Sequence, residues 1–287
     1  MKKSIGLFLG LTIVLVLAFS FYGNAQQKKS NKKSKDQVKG GIAKKDAGYD
    51  VFLIAGQSNT HAGVPLDSIL DASDPDIFQL GRFDSSDHKI IQAKENLQHW
   101  TRVEGNIGFA LTFAKLYKPT LAGTKRKILI VPCGHGSTSI AQWQKGGKLY
   151  NDAIERVKFS LNMPGSKLVG ILWHQGENDL GKNNTTYQPQ LDTLITNMRA
   201  DLETPLLPFI VGGLVPYVVN KPGYSHRLLI QEIIRNTPNR LPKTGYADPD
   251  KPFKIEKPRN DLNESHFDAT GIREMGKRYF EVFISLK

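Results

Sequence analysis

The chain has 287 residues, 39% of them hydrophobic, which allows one ordinary domain with a real core plus segments at the ends. Its single cysteine, Cys133, excludes an internal disulfide framework and a multi-cysteine zinc site. The formal net charge is +12, but ten lysines against Asp36 and Asp46 fall within residues 1–46, so only +4 remains for the rest.

Lys2 and Lys3 precede an apolar run from Ile5 to about Tyr22, followed by Gly23-Asn24-Ala25 and then Gln26. A basic start, an apolar stretch and small residues at the cut predict a signal peptide over residues 1–25. The run is near the ~18-residue lower limit for a span, so an N-terminal membrane anchor is the alternative. No cysteine follows the run, which excludes a bacterial lipoprotein. Residues 26–46 are lysine-rich and poor in apolar side chains, the composition of a basic flexible linker. A basic tail can bind nucleic acid, but export argues against that partner. No stable membrane insertion is expected after signal cleavage. Residues 47–287 are expected to form one domain.

From Tyr49 onward, short apolar strands alternate with amphipathic helices. Val51–Ala55, Lys127–Cys133, Leu168–Trp173 and Pro208–Leu214 are apolar on both faces, as buried parallel strands require. A weaker strand is expected at Thr244–Ala247. Helical patterns fall at Phe109–Tyr117, Tyr150–Leu161, Tyr187–Leu202, Tyr224–Arg235 and Ala269–Leu286. This alternation predicts an α/β fold, a parallel sheet with helices on both sides. Asp67–Trp100 is polar and irregular, and reads as loops over the active face. Cys133 ends an apolar strand and reads as a small core residue.

Three strands end in polar clusters: Gly56-Gln57-Ser58-Asn59, Gly134-His135-Gly136-Ser137-Thr138-Ser139, and His174-Gln175-Gly176-Glu177-Asn178-Asp179. A fourth cluster, Asp261 to Asp268, precedes the last helix. Parallel strands bring such ends to one edge of the sheet. That edge then holds a serine, histidines, carboxylates, amides and glycine N–H groups, the parts of nucleophilic acyl transfer. Taken singly, each residue has a plainer use. Ser58 could cap a helix, His266 could cap the last helix, and Gln175 and Glu177 could be a polar strand end. His61, His88, His99, His135 and His226 lack metal-ligand spacing, and no His-Glu-x-x-His occurs, so no metal is expected.

Gly-Gln-Ser-Asn after the first strand, Trp-His-Gln-Gly-Glu-Asn-Asp after the third and Ser-His-Phe-Asp before the final helix resemble the SGNH hydrolase superfamily. Within it they are most similar to the sialate O-acetylesterase and acetyl xylan esterase branch. The resemblance runs in order over most of Tyr49–Lys287. It implies a three-layer sandwich with a central parallel sheet, the flavodoxin-like SGNH fold. It also implies Ser58 as nucleophile, His266 as base, and an oxyanion hole from Ser58, Gly136 and Gln175. The Gly136 assignment carries a one-residue uncertainty in register, because relatives read Gly-Gly-Thr-Ser where this chain reads Gly136-Ser137-Thr138-Ser139. Asn59, Trp143 and His174 are expected to contact substrate. The superfamily often has aspartate three residues before the histidine, and this chain has Asn263. Glu177 is therefore the first choice for the orienting acid. Asp261, Glu264 and Asp268, or a Ser–His dyad supported by Asn263, are the alternatives.

The resemblance implies removal of acetyl groups from sugars, of xylan type or sialic acid, through an acyl-enzyme and without a cofactor. The expected partner is an acetylated carbohydrate. The rival readings are a carbohydrate-binding protein that has lost catalysis, and an SGNH esterase of other acyl specificity.

Overall fold

The computed structural model describes residues 47–180, 185–224, 226–256 and 264–287. The expected signal peptide and linker lie outside the described residues, as do Asp261 and Asn263.

The strands are β1 (Ala47–Gly56), β2 (Ile77–Leu80), β3 (Ile90–Gln92), β4 (Lys125–Pro132), β5 (Lys167–His174), β6 (Phe209–Gly212) and β7 (Thr244–Ala247). The helices are α1 (Ala110–Tyr117), α2 (Lys148–Leu161), α3 (Tyr187–Asp201), α4 (Pro216–Val219), α5 (His226–Arg235), α6 (Thr237–Arg240) and α7 (Ala269–Ser285). They build one seven-stranded sheet in the order β3-β2-β4-β1-β5-β6-β7. All neighbours are parallel except β3, which runs antiparallel to β2 at one edge.

The five expected strands are present, with ends shifted by a few residues. The sheet is mixed rather than wholly parallel, and β2 and β3 lie inside the segment expected to be loops. Both are too short for a clear pattern. β2 also buries a polar side chain, Gln79, whose Oε1 accepts from the Gln98 N–H at 2.8 Å.

β1 is central because its length and its seven consecutive buried residues let it pair on both sides. Phe52 on this strand meets Phe113 and Tyr117 of α1 and Phe283 of α7 edge to face, at centroid distances of 4.9, 4.9 and 5.4 Å. Such contacts add to simple burial in fixing how helices sit on a sheet. α2 packs across β1, β4 and β5, and α7 across β6 and β7. α7 begins where Asp268 Oδ1 accepts from the Gly271 N–H at 2.7 Å, a cap worth about 1 kcal/mol.

Strand ends are tied together before the loops diverge. The Gln57 N–H donates to His174 O and the His135 N–H to Gly56 O, both at 2.8 Å. Gly56 has φ +122°, and a Cβ there would lie 2.0 Å from His174 O. Glycine is therefore required for β1 and β5 to close at the point where the site begins. Cys133 is buried, and burial pushes its thiol up to about 12, so it stays a protonated core residue.

Candidate active site

β1 ends at Gly56, and the chain then makes a short 3-10 turn over Ser58–Thr60. Ser58 opens this turn half-buried, with Asn59 and Thr60 buried behind it. His266 sits three residues before α7, and its Nε2 lies 2.8 Å from Ser58 Oγ across 208 residues of sequence. The two residues expected as nucleophile and base therefore share a hydrogen bond.

The loop after β4 forms a second wall. The Gly136 N–H donates to Thr101 Oγ1 at 2.7 Å. Ser137, next in line, is exposed and holds φ +58°, a left-handed conformation that favours glycine. This is the position where the resembling family has its second glycine. Thr138 anchors the loop. Its Oγ1 donates to His135 O at 2.9 Å and accepts from Trp143 Nε1 at 3.0 Å. Trp143 is fully buried and meets Trp173 edge-on at 5.2 Å.

The loop after β5 is the third wall. Gln175 is fully buried. Its Nε2 lies 2.6 Å from Asp179 Oδ2, 2.9 Å from Thr138 O and 3.2 Å from Gln57 Oε1. Its Oε1 and its backbone carbonyl both accept from Tyr187 OH, at 3.2 and 2.8 Å. The amide expected to donate to an oxyanion is thus spent on neighbouring loops. Asp179 also accepts from the Ile140 N–H at 3.0 Å. Gln57 Oε1 receives the N–H groups of Gly176 and Asn178 at 3.4 and 3.2 Å, holding the turn against β1.

Glu177 does not bond His266 here. Its Oε1 accepts from Asn59 Nδ2 and lies 3.2 Å from His174 Nε2. Burial pushes the pKa of this carboxyl up, but the nearby His174 and Asn59 outweigh that and hold it below the usual glutamate range. Glu264 pairs with Lys221 at 3.0 Å on the surface, and Asp268 caps α7. Glu177 is corrected from direct orienter of His266 to partner of Asn59.

The three expected substrate contacts are also corrected. Asn59, Trp143 and His174 are each 0% exposed and offer no surface to a sugar. Asn59 instead spans the base. Its Nδ2 donates to Ser265 O at 2.9 Å, and its Oδ1 accepts from the Phe267 N–H at 3.1 Å. His174 supports Glu177 from below, and its Nδ1 meets Tyr279 OH at 3.1 Å. That phenol gives its own hydrogen to Trp173 O at 2.7 Å.

Sequence reasoning missed several residues beside the pair. His61 is buried and stacked on His99 at 4.9 Å. Burial, then His266 and His135, bring His61 down to about 3, so it stays neutral beside the base. Asp179, Gln57 and Thr101 were missed because their partners come from other loops. Asp179 and Gln57 left a signal, Asp179 standing four residues after Gln175 in one motif and Gln57 directly before Ser58 in another.

The model of the family described as carbohydrate esterase, sialic acid-specific acetylesterase matches residues 48–285. The probable carbohydrate esterase At4g34215 of Arabidopsis thaliana is 35% identical over 106 residues, 36% of this chain and 40% of that protein. The aligned stretch therefore spans well under half the length of that curated relative. The crystal structure of NanS superposes with a TM-score of 0.70 at 23% identity, over 85% of this chain and 98% of that one. The X-ray structure of the Arabidopsis thaliana protein gives 0.66 at 23% identity, over 83% and 98%. XAC1771, a carbohydrate acetylesterase from Xanthomonas citri, gives 0.58 at 20% identity, over 82% and 57%. These structural likenesses show the shared α/β sandwich.

Proposed function

This chain belongs to the carbohydrate esterase, sialic acid-specific acetylesterase family, and we propose that it is an exported serine esterase that removes acetyl groups from carbohydrate hydroxyls. The observation that carries the reading is the 2.8 Å contact between Ser58 Oγ and His266 Nε2 at the carboxyl end of the central strand. A serine hydroxyl attacks an ester only as a base takes its proton, and an imidazole does so near neutral pH.

Ser58 Oγ attacks the acetyl carbonyl while His266 Nε2 takes the proton. The Ser58 N–H heads a 3-10 turn, where no intrahelical acceptor reaches it, and it takes the oxyanion. The Gly136 N–H serves as a second donor by releasing Thr101 Oγ1. Loss of one such donor costs roughly 3–4 kcal/mol of barrier. His266 then protonates the departing sugar oxygen. A water, deprotonated by the same imidazole, attacks the acetyl-serine and frees acetate. No cofactor enters these steps. Gln175, Asp179 and Gln57 act as braces that hold the loops in register. Export rests on residues 1–25, whose basic start, apolar run and small residues at the cut suit a signal peptide. Residues 26–46 then link that segment to the domain.

The test is turnover of chromogenic esters of graded chain length, with O-acetylated xylan and O-acetylated sialic acid alongside. Acetyl esters are expected to be cleaved faster than octanoyl esters, with acetate released from at least one of the two carbohydrates. Faster cleavage of octanoyl esters would overturn the reading.

A further inference from the structure

We propose that Asn59 is a positioning residue that holds His266 by the backbone on both sides, and that Glu177 influences the reaction through Asn59. The proposal rests on the Ser58–His266 reading above and adds to it how the base is kept in place. Asn59 directly follows the nucleophile and is 0% exposed. One amide hydrogen goes to Ser265 O at 2.9 Å, and the amide oxygen takes the Phe267 N–H at 3.1 Å. These two groups flank His266, so a single side chain spans the peptide units before and after the base. The other amide hydrogen goes to Glu177 Oε1. An amide has two hydrogens and one oxygen, and all three are committed. Turning the amide over would set its oxygen against a carbonyl and a carboxylate, and its NH2 against an N–H.

Glu177 is held in turn. His174 Nε2 stands 3.2 Å from Glu177 Oε1, His174 Nδ1 meets Tyr279 OH at 3.1 Å, and Tyr279 OH donates to Trp173 O at 2.7 Å. Tyr279 belongs to α7, the helix that starts just after His266. The chain of contacts Tyr279–His174–Glu177–Asn59 thus runs from α7 under the end of β5 and back to the loop that carries the base. It fixes that loop relative to Ser58, because Asn59 and Ser58 are adjacent in one turn. Misplacing a reacting group by about 1 Å costs on the order of a hundredfold in rate.

The experiment uses four variants of the full chain: Asn59→Ala, Asn59→Asp, Glu177→Gln and the double Asn59→Asp/Glu177→Gln. kcat and KM are measured on an acetyl ester across pH, and folding is checked by urea titration. Asn59→Asp keeps the volume but sets an acceptor against Ser265 O and Glu177. It is expected to lower kcat on the order of a hundredfold with KM nearly unchanged, and Asn59→Ala to do the same. In the double variant the new amide at position 177 can donate to the new carboxylate at position 59. That variant is therefore expected to recover roughly tenfold over Asn59→Asp alone. If Glu177 acts independently of Asn59, the losses multiply and the double is slower than either single, which would overturn the proposal. Wild-type kcat in folded Asn59→Ala would also overturn it. If Asn59→Ala does not fold, the isosteric Asn59→Asp and its rescue decide. Failure of the Ser58 reading shows separately, as undiminished turnover in Ser58→Ala.

Discussion

Asp179 is the most informative single deletion outside the Ser58–His266 pair. Its carboxylate is 1% exposed and takes the Ile140 N–H at 3.0 Å and the Gln175 amide at 2.6 Å. It therefore joins the loop after β5 to the loop after β4. Asp179→Ala strands the Ile140 N–H in a dry interior and leaves the Gln175 amide to Thr138 O and Gln57 Oε1 alone. The stranded donor costs about 1–3 kcal/mol and the lost Gln175 contact about 1 kcal/mol more, so the loss is roughly 2–4 kcal/mol. For a domain of this size each kcal/mol moves Tm by about 2–4 °C, so a fall of roughly 10 °C is expected. The Thr138–Gln175 register also loosens beside the Gly136 turn, and kcat is expected to fall about a hundredfold even where the protein stays folded. Asp179→Asn keeps the shape and one acceptor oxygen, and should lose less on both counts. Thermal melts followed by circular dichroism, with kcat measured well below the variant Tm, make the test. A variant with wild-type Tm and wild-type kcat would refute the bracing role.

Two further outcomes follow from buried charge. Burial pushes the Glu95 carboxyl up to about 8, with the Asp71 charge adding and the Gly108 N–H at 3.2 Å opposing. The native state then keeps a proton that the unfolded chain releases near its ordinary value of 4.5. That stability is full below the unfolded value and is lost as pH rises towards about 8. The urea midpoint of the wild type should therefore fall more steeply between these values than that of Glu95→Gln, and equal slopes would refute it. At the far end of β1, Asp50 pairs with Arg126 Nε at 2.5 Å, with side chains 1% and 5% exposed. Asp50→Ala leaves a buried guanidinium short of its counter-charge and should cost about 3–5 kcal/mol by urea titration. Its kcat should hold, because the pair sits at the opposite end of the strand from Ser58. Lost kcat in the folded variant would contradict that.

The long, doubly buried strands were legible because β1, β4 and β5 carry unbroken apolar runs between polar ends. β2 and β3 were not. A four-residue strand that buries Gln79 looks like loop until Gln98 is seen to satisfy it. Ser58 and His266 were readable from motif order, but the wiring between motifs was not. Asn59 and Glu177 are 118 residues apart, and only the fold makes them partners. The same holds for Gln175. Its motif suggests a donor facing substrate, whereas three neighbouring acceptors claim the amide. Burial decided the fates of Trp143 and His174, because an aromatic or imidazole next to a catalytic motif can line a site or hold it up from behind.

The central claim is that Ser58 is the nucleophile activated by His266. Its most direct test is intact-mass and peptide mass spectrometry after treatment with a serine-directed organophosphonate. One adduct is expected, on the peptide holding Ser58, with labelling lost in Ser58→Ala and strongly slowed in His266→Ala. A folded wild type that takes no label at Ser58, or Ser58→Ala that still cleaves acetyl esters at the wild-type rate, would contradict the account.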